Sequence, residues 1–472
     1  MIEKGELIFT HYFVEAINMA KSAVVKDMTH GNETKLLLQF MMPMLVGNIF
    51  QQVYNLADSI IVGRNVGADA LGAVGCTASI TFLFFALCQG LASGAGVIVS
   101  QYFGAGKDEE VKKTIANSFY IVMLSGVILS IMGAVLAEPV LTILDTPKEQ
   151  LKDAVDYMQI VCAGTIAVAA YNYVAQIMRA LGDAKTPLYF LLFATALNIV
   201  LDLWFVVGLD KGVKGAGYAT IIAQAISAIG CFIVGVLKNP YFKLNREHTR
   251  LNFEKCKLCM EVGMPLAVQS MTIAISCVVL QRVVNSFDKN VVSAFTVTSR
   301  IEQFVQQPFN SLAVAISTFT GQNMGAGKTD RVRTALKKGM WITAVISGVM
   351  LIVSFTLGEF IVGSFVTDAP EVVRIGTNGL HIISTMFFPL GIIYVTRGVL
   401  NGANDTFYAM INGVIEVCCR VGFSVLFVYV LPIGMWSVWF ATGCTWVVTG
   451  LSAQLRYKQG IWLNKAIVEP CH

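Results

Sequence analysis

The sequence predicts an all-α polytopic membrane protein, about twelve transmembrane helices in two six-helix lobes related by internal duplication. Three observations predict it. Of 472 residues, 55% are hydrophobic and only 14% charged, against about 25% charged in ordinary soluble domains. Apolar stretches of about 20 residues, the length a helix needs to cross a bilayer, recur along the whole chain. Three landmarks return in the same order after about 220 residues, the mark of an internal repeat. They are Pro43 and Pro265, then Ser100-Gln-Tyr-Phe-Gly-Ala-Gly-Lys107 and Gly321-Gln-Asn-Met-Gly-Ala-Gly-Lys328, then Arg179-Ala-Leu-Gly-Asp-Ala-Lys-Thr186 and Val399-Leu-Asn-Gly-Ala-Asn-Asp-Thr406.

Residues 1–35 read as an amino-terminal cytoplasmic segment. Its Glu3, Lys4 and Glu6 interrupt any apolar core, so no cleavable signal peptide is expected and the first span serves as the insertion signal. The first lobe, residues 36–237, holds spans at Phe40 to Ile61, Leu71 to Ser100, Ile115 to Leu136, Ala154 to Ile177, Pro187 to Val207 and Ala216 to Leu237. A basic cytoplasmic linker follows at 238–257. The second lobe, 258–457, holds spans at Met260 to Val284, Val291 to Phe319, Met340 to Val362, Gly376 to Tyr394, Phe407 to Leu431 and Met435 to Leu455, before a cytoplasmic tail at 458–472. An even number of spans per lobe gives the lobes one orientation, as in parallel repeats that rock about a central cavity.

Charge follows topology rather than a nucleic-acid partner. Net charge is +4, and most of the 34 Lys and Arg fall at the termini and in the loops after even-numbered spans. Those regions are therefore expected in the cytoplasm. The 11 cysteines sit mostly inside spans, as Cys88, Cys162, Cys277 and Cys444 do, where thiols pack as small hydrophobes. Cys256 and Cys259 have the spacing of a metal or redox pair but lack a second pair and a nearby His, so packing is expected there too.

The two Gly-Ala-Gly-Lys motifs superficially resemble a phosphate loop. That loop needs glycine where Gln322 stands, so a tight cytoplasmic turn is the better reading and ATP is not the expected energy source. Ionisable groups at membrane depth are functional hypotheses by default. In the first lobe these are Asp58 in the first span and Asp202 in the fifth, the latter one turn from Asn198. Desolvation disfavours the charged form of such a carboxyl, so it can hold a proton or be neutralised by a cation with amide and hydroxyl ligands. Hydrogen-bonded glue between helices is the competing reading. Opposite Asp58 the second lobe carries Leu280. There Asn412 and Glu416 match Asn198 and Asp202, but Arg420 stands one turn beyond Glu416, which points to a structural ion pair; Glu302 shares a span with Arg300. Gln51, Gln52, Asn55, Gln269 and Gln281 line the opening spans of the lobes, and Met41, Met42 and Met44 precede the first group.

Together these landmarks resemble the multidrug and toxic compound extrusion (MATE) family of secondary transporters over nearly the whole chain from Asp27. The resemblance rests on Gln51-Gln-Val-Tyr-Asn-Leu-Ala-Asp58, Ile61-Val-Gly-Arg64, both Gly-Ala-Gly-Lys turns, Arg179-Ala-Leu-Gly-Asp183, Asn198-Ile-Val-Leu-Asp202 and Gly215-Ala-Gly-Tyr-Ala-Thr220. It implies two lobes in a V shape in the plasma (inner) membrane, with both termini cytoplasmic. It implies exchange of protons or sodium for amphipathic, often cationic, drug-like molecules, a monomer embedded in lipid, no nucleic acid, no cofactor and no enzymatic activity. By position the cation-coupling cluster is Asp58, Tyr157, Asn198, Asp202 and Thr220, with Asp58, Asn198 and Asp202 as ligands if the ion is sodium. Pro43 is the helix-bend position, and Gln51, Gln52, Asn55, Gln269 and Glu302 fall on the substrate cavity. No acid occurs from Met264 to Gln281 or from Met386 to Tyr394, so the chain is similar to the DinF/MepA-like branch. A lipid-linked precursor flippase of the same superfamily is the alternative. A channel lacks its filter loops here, and an enzyme its clustered histidines, His381 alone lying in a span.

Overall fold

The computed structural model describes residues 25–66, 68–143, 146–366, 369–431 and 433–468, without the side chains of 56–60, 62–65, 68–71, 76, 78, 79 and 148. Most of the expected amino-terminal segment, residues 1–24, lies outside the described residues.

Among the described residues, fourteen α-helices form two runs of seven. The first run is α1 (Glu33–Asn65), α2 (Ala68–Gly104), α3 (Asp108–Ile143), α4 (Lys148–Ala163), α5 (Thr165–Ala180), α6 (Lys185–Asp202) and α7 (Gly212–Lys238). The second is α8 (Phe253–Val284), α9 (Lys289–Gly325), α10 (Thr329–Gly363), α11 (Pro370–Ser384), α12 (Phe387–Gly402), α13 (Thr406–Val425) and α14 (Ser437–Lys458). Each helix matches the one seven places later, irregularities included. The α4/α5 pair bends by 44° and the α11/α12 pair by 49°. Helices α6 and α13 both run on into a π-helical segment, Leu203–Gly208 and Leu426–Val430.

Among the described residues, eight helices are individually long and apolar enough to cross a membrane, and each bent pair adds one candidate span. The remaining two, α9 and α14, are more polar; α9 carries Arg300, Glu302, Gln303, Gln306 and Gln307. The protein is therefore an all-α polytopic membrane protein. The bend at α4/α5 has a steric cause: a Cβ on Gly164 would stand 2.2 Å from the Ile221 side chain, so only glycine lets this corner approach α7.

The same helix pairs pack in both runs. Helix α2 lies against α3, α4 and α5, and α6 against α7, just as α9 lies against α10, α11 and α12, and α13 against α14. In the second run the core gathers Phe309, Phe387, Trp439 and Trp446. Trp439 donates from its indole N–H to Thr298 Oγ1 at 3.1 Å, which satisfies the one polar atom that this large ring buries.

By contact the chain divides into two compact units. The first holds Met42–Ala267, the second Met28–Met41 with the described residues from Val268 onward. These divisions fall inside α1 and α8, beside Pro43 and just past Pro265, rather than at the expected linker 238–257. The reason is local. Residues of that linker are tied to α3: Tyr241 Oη donates to Asp108 Oδ1 at 2.8 Å, Tyr120 Oη donates to the Thr249 carbonyl at 2.9 Å, and the His248 ring lies 2.6 Å from Glu109 Oε2. The start of α8 then packs on α2. A Cβ on Gly94 would stand 2.4 Å from Gly263 Cα and one on Gly90 2.3 Å from Ala267 Cα, a small-residue seam that brings the two backbones together.

Candidate functional site

In the first unit, α6 ends at Asp202, where the π-helical segment begins. Asn198 and Asp202 stand one turn apart on one face and are 2% and 0% exposed, the values that make this polar pair a candidate site. Helix α7 packs beside α6 and presents Thr220. With the Asn198 amide turned so that its nitrogen faces Asp202, it donates to Asp202 Oδ2 at 2.7 Å while its oxygen accepts from the Thr220 N–H at 3.1 Å. This orientation satisfies both ends of the amide. Helix α1 joins through Tyr54, whose hydroxyl lies 3.3 Å from Thr220 Oγ1. It comes close to α6 at Gly47, where a Cβ would stand 3.1 Å from Leu191.

Of the expected cluster, Asn198, Asp202 and Thr220 thus meet. Tyr157 on α4 packs with Val206, Val213 and Ala216 beside them. Asp58 lies on α1 one turn beyond Tyr54, and its side chain is outside the described residues. Sequence reasoning missed Tyr54, although its spacing of four residues before Asp58 puts it on the same helix face. A buried carboxylate with hydroxyl groups nearby offers hard oxygen donors, suited to a proton or a small cation.

The expected correspondence of Asn412 and Glu416 with Asn198 and Asp202 does not hold. Asp202 is the last residue before its π-helical segment; the residue in that place on α13 is Val425, and Glu416 lies about two and a half turns earlier. Glu416 is instead clamped by two guanidinium groups. Arg397 NH2 reaches Glu416 Oε2 at 2.8 Å and Arg420 NH2 reaches Oε1 at 3.1 Å. Arg397 Nε also donates to Asn412 Oδ1 at 2.6 Å, and Asn412 donates to the Thr449 carbonyl at 3.0 Å. The ion pair expected from Arg420 is present, and Arg397 was missed because it approaches from a different helix. The expected span Gly376 to Tyr394 also stopped short of Arg397, which lies inside α12.

The expected cavity residues separate. Gln51 and Asn55 are exposed on α1, and Gln52 is half-buried. Gln269, expected at the cavity, is buried because α8 closes on α13 at Gly413, where a Cβ would stand 3.3 Å from Gln269 Cγ. Glu302 is half-buried and accepts from Gln306 Nε2 at 2.7 Å, while Tyr394 Oη donates to Gln306 Oε1 at 3.0 Å. Arg300 is exposed.

Both Gly-Ala-Gly-Lys motifs are tight turns. Gly106 and Gly327 sit at φ +68° and +70°, the left-handed region where a side chain is strained. Gln322, where a phosphate loop needs glycine, accepts from the Met28 N–H at 2.8 Å, and Lys328 donates to the Thr29 carbonyl at 3.0 Å. Cys256 and Cys259 are free and buried.

The MatE family model matches residues 43–204 and 265–442, starting at the two helix prolines. The "Probable multidrug resistance protein YpnP" of Bacillus subtilis is 30% identical, covering 92% of this chain and 97% of that protein. The "Multidrug export protein MepA" of Staphylococcus aureus is 25% identical over 86% of this chain and 90% of its own. Among solved structures, an outward-facing multidrug resistance MATE transporter of the MOP superfamily superposes with TM-score 0.87 at 22% identity, covering 94% of this chain and 100% of that one. A MOP superfamily transporter from Pyrococcus furiosus, described as having a binding pocket of reversed polarity, superposes with TM-score 0.86 at 23% identity, covering 92% and 97%. The family match spans both repeats and most of the chain, and with it this chain belongs to the MATE family of transporters.

Proposed function

We propose that this chain is a cation-coupled multidrug antiporter that exports amphipathic, often cationic, compounds by alternating access. The observation that carries the reading is the buried junction of Asp202, Asn198 and Thr220 with Tyr54, where a carboxylate, an amide and two hydroxyls bind α1, α6 and α7 together. A proton or sodium ion taken there, with Asp58 on α1 completing the set, changes the charge at the point where α1 joins its neighbours. Pro43 breaks the regular hydrogen bonding of that helix and lets it bend in response. Ion and drug then favour different states, so each weakens the other's binding by the same factor. The multidrug names of YpnP and MepA support the substrate class. The reading also takes the Gly-Ala-Gly-Lys turns and both termini as cytoplasmic, the membrane as the plasma membrane, and the working form as a monomer.

A flippase would need cations held open for a diphosphate. Arg397 and Arg420 both contact Glu416, which weighs against that use.

Drug efflux from cells expressing Asp202→Asn or Asp58→Asn at wild-type levels tests the coupling role. Loss of nearly all efflux is expected, and full efflux in either variant would sink it. Inverted vesicles given a pH gradient alone, then a sodium gradient alone, identify the ion. Drug accumulation under neither gradient overturns cation coupling.

A further inference from the structure

The two proline helices are held at their starts by ion pairs that occupy the same register with opposite polarity. Glu33, the first residue of α1, lies 2.8 Å from Arg331 NH1. Lys255, at the start of α8, lies 2.5 Å from Glu110 Oε2. Glu33 and Lys255 stand equally far before Pro43 and Pro265, and Glu110 and Arg331 are each the third residue after the lysine of a Gly-Ala-Gly-Lys turn. The positions are therefore equivalents of the duplication, with the charges exchanged.

Each pair lies within one compact unit, and it is not the unit holding the rest of that helix's own repeat. Met28–Met41 belongs with Val268–His472, and the start of α8 belongs with Met42–Ala267. Both contacts are reinforced. Arg331 also donates to Asn323 Oδ1 at 3.0 Å and to the Gly31 carbonyl at 3.0 Å. Lys255 also donates to Tyr102 Oη at 2.8 Å and lies 4.2 Å over the Tyr102 ring. Side-chain exposures of 21% on both members of the first pair and 12% and 31% on the second take these charges partly out of water, which strengthens their mutual fields.

Duplication creates an assembly problem: two similar helix starts and two similar docking turns. Each start could settle on the turn of its own repeat. That wrong arrangement would set Glu33 against Glu110 and Lys255 against Arg331. We propose that the charge-exchanged pairs Glu33 with Arg331 and Lys255 with Glu110 are a sorting code that directs each helix start onto the docking turn of the other repeat. Attraction favours the arrangement in this structure, and like-charge repulsion disfavours the exchanged one, which is how paired helices elsewhere choose partners.

The test uses the full chain and reads the fraction recovered from membranes as a single monodisperse species, with thermal unfolding of that fraction. In Glu33→Lys combined with Arg331→Glu, an opposite-charge pair persists in the second unit, but both sites now share one polarity and no longer discriminate. The monodisperse fraction is expected to fall by about threefold, the scale of a partly exposed charge contact. Adding Lys255→Glu and Glu110→Lys restores discrimination with the whole code inverted, and recovery of the wild-type fraction is expected. A wild-type yield from the two-substitution variant overturns the proposal. So does failure of the four-substitution variant to recover, which would make the residues mere local contacts. Neither result bears on ion coupling, because no transport is measured.

Discussion

The buried carboxylates of the two units, Asp202 and Glu416, have different described partners. Among the described side chains, Asp202 receives a hydrogen bond from the Asn198 amide, with the Thr220 and Tyr54 hydroxyls beside that amide. Glu416, deep in the second unit, is gripped by Arg397 and Arg420. One duplicated scaffold thus supports two kinds of polar centre. An acid among neutral oxygens can exchange a proton or an ion, whereas an acid between two guanidiniums is fixed by them. The difference teaches that the repeats share helix packing but not chemistry, and that a matching sequence spacing did not guarantee a matching depth.

The largest effect should come from removing the fixed acid. Glu416→Ala leaves the buried Arg420 and the partly buried Arg397 without their shared carboxylate, at an expected cost of about 3–5 kcal/mol, measured by thermal or denaturant unfolding in detergent. Asp202→Asn, in contrast, should leave unfolding nearly unchanged while abolishing efflux. Equal stability losses in the two variants would break the comparison.

The loops before α6 and α13 offer a second contrast. Asp405 is 2% exposed and takes two hydrogen bonds from Arg456, at 2.7 and 3.0 Å. Asp405→Asn should cost about 1.5–3 kcal/mol, as for bonds to charged groups. A double-mutant cycle with Arg456 checks whether the loss belongs to this pair.

A third contrast lies in the seam between α2 and α8. Gly94→Ala should cost about 1–3 kcal/mol, since its Cβ would meet Gly263 backbone that cannot rotate away. The same register of α9 already carries Ala315, so the glycine is expected to be needed in the first repeat alone. Unfolding midpoints of Gly94→Ala and Ala315→Gly test it, and a stabilised Gly94→Ala variant would remove the distinction.

The smallest effect concerns pH. Burial raises the Asp183 carboxyl above its ordinary value, opposed by hydrogen bonds from Thr186 and the Lys185 N–H. With the folded value above the unfolded one, its contribution is fully present below the ordinary carboxylate range and is lost as pH rises through the raised value. Asp183→Asn keeps an acceptor for these N–H groups and should flatten that part of the stability profile. Midpoints measured from mildly acidic to neutral pH check this, and an unchanged slope would show that other groups set it.

Much of this architecture was legible in the sequence because membrane helices announce themselves by length and apolarity, and duplication by repeated turns. Pro43 and Pro265, the Gly-Ala-Gly-Lys turns, and the pairing of Arg420 with Glu416 could all be read from spacing along one chain. Asn198 and Asp202 could be joined because one turn of one helix holds both. Arg397 could not be assigned, since its approach to Glu416 depends on how α12 packs beside α13. Burial of Gln269 depends likewise on the missing side chain at Gly413. The bends at Gly164 and before Phe387 were hidden inside continuous apolar stretches, whose composition does not register a change of direction.

The π-helical segments carry a further consequence, about history. Each lies between the same two helices of its repeat, at Leu203–Gly208 and Leu426–Val430. A π-helical turn is rare and is often associated with functional sites. Its appearance twice in one register is most simply explained by an ancestor that already had it before the gene doubled. The ancestral half was then already an irregular helix bundle, and only the first repeat now sets an acid, Asp202, directly at the inherited fault, while Glu416 and its arginines stand more than two turns away from theirs.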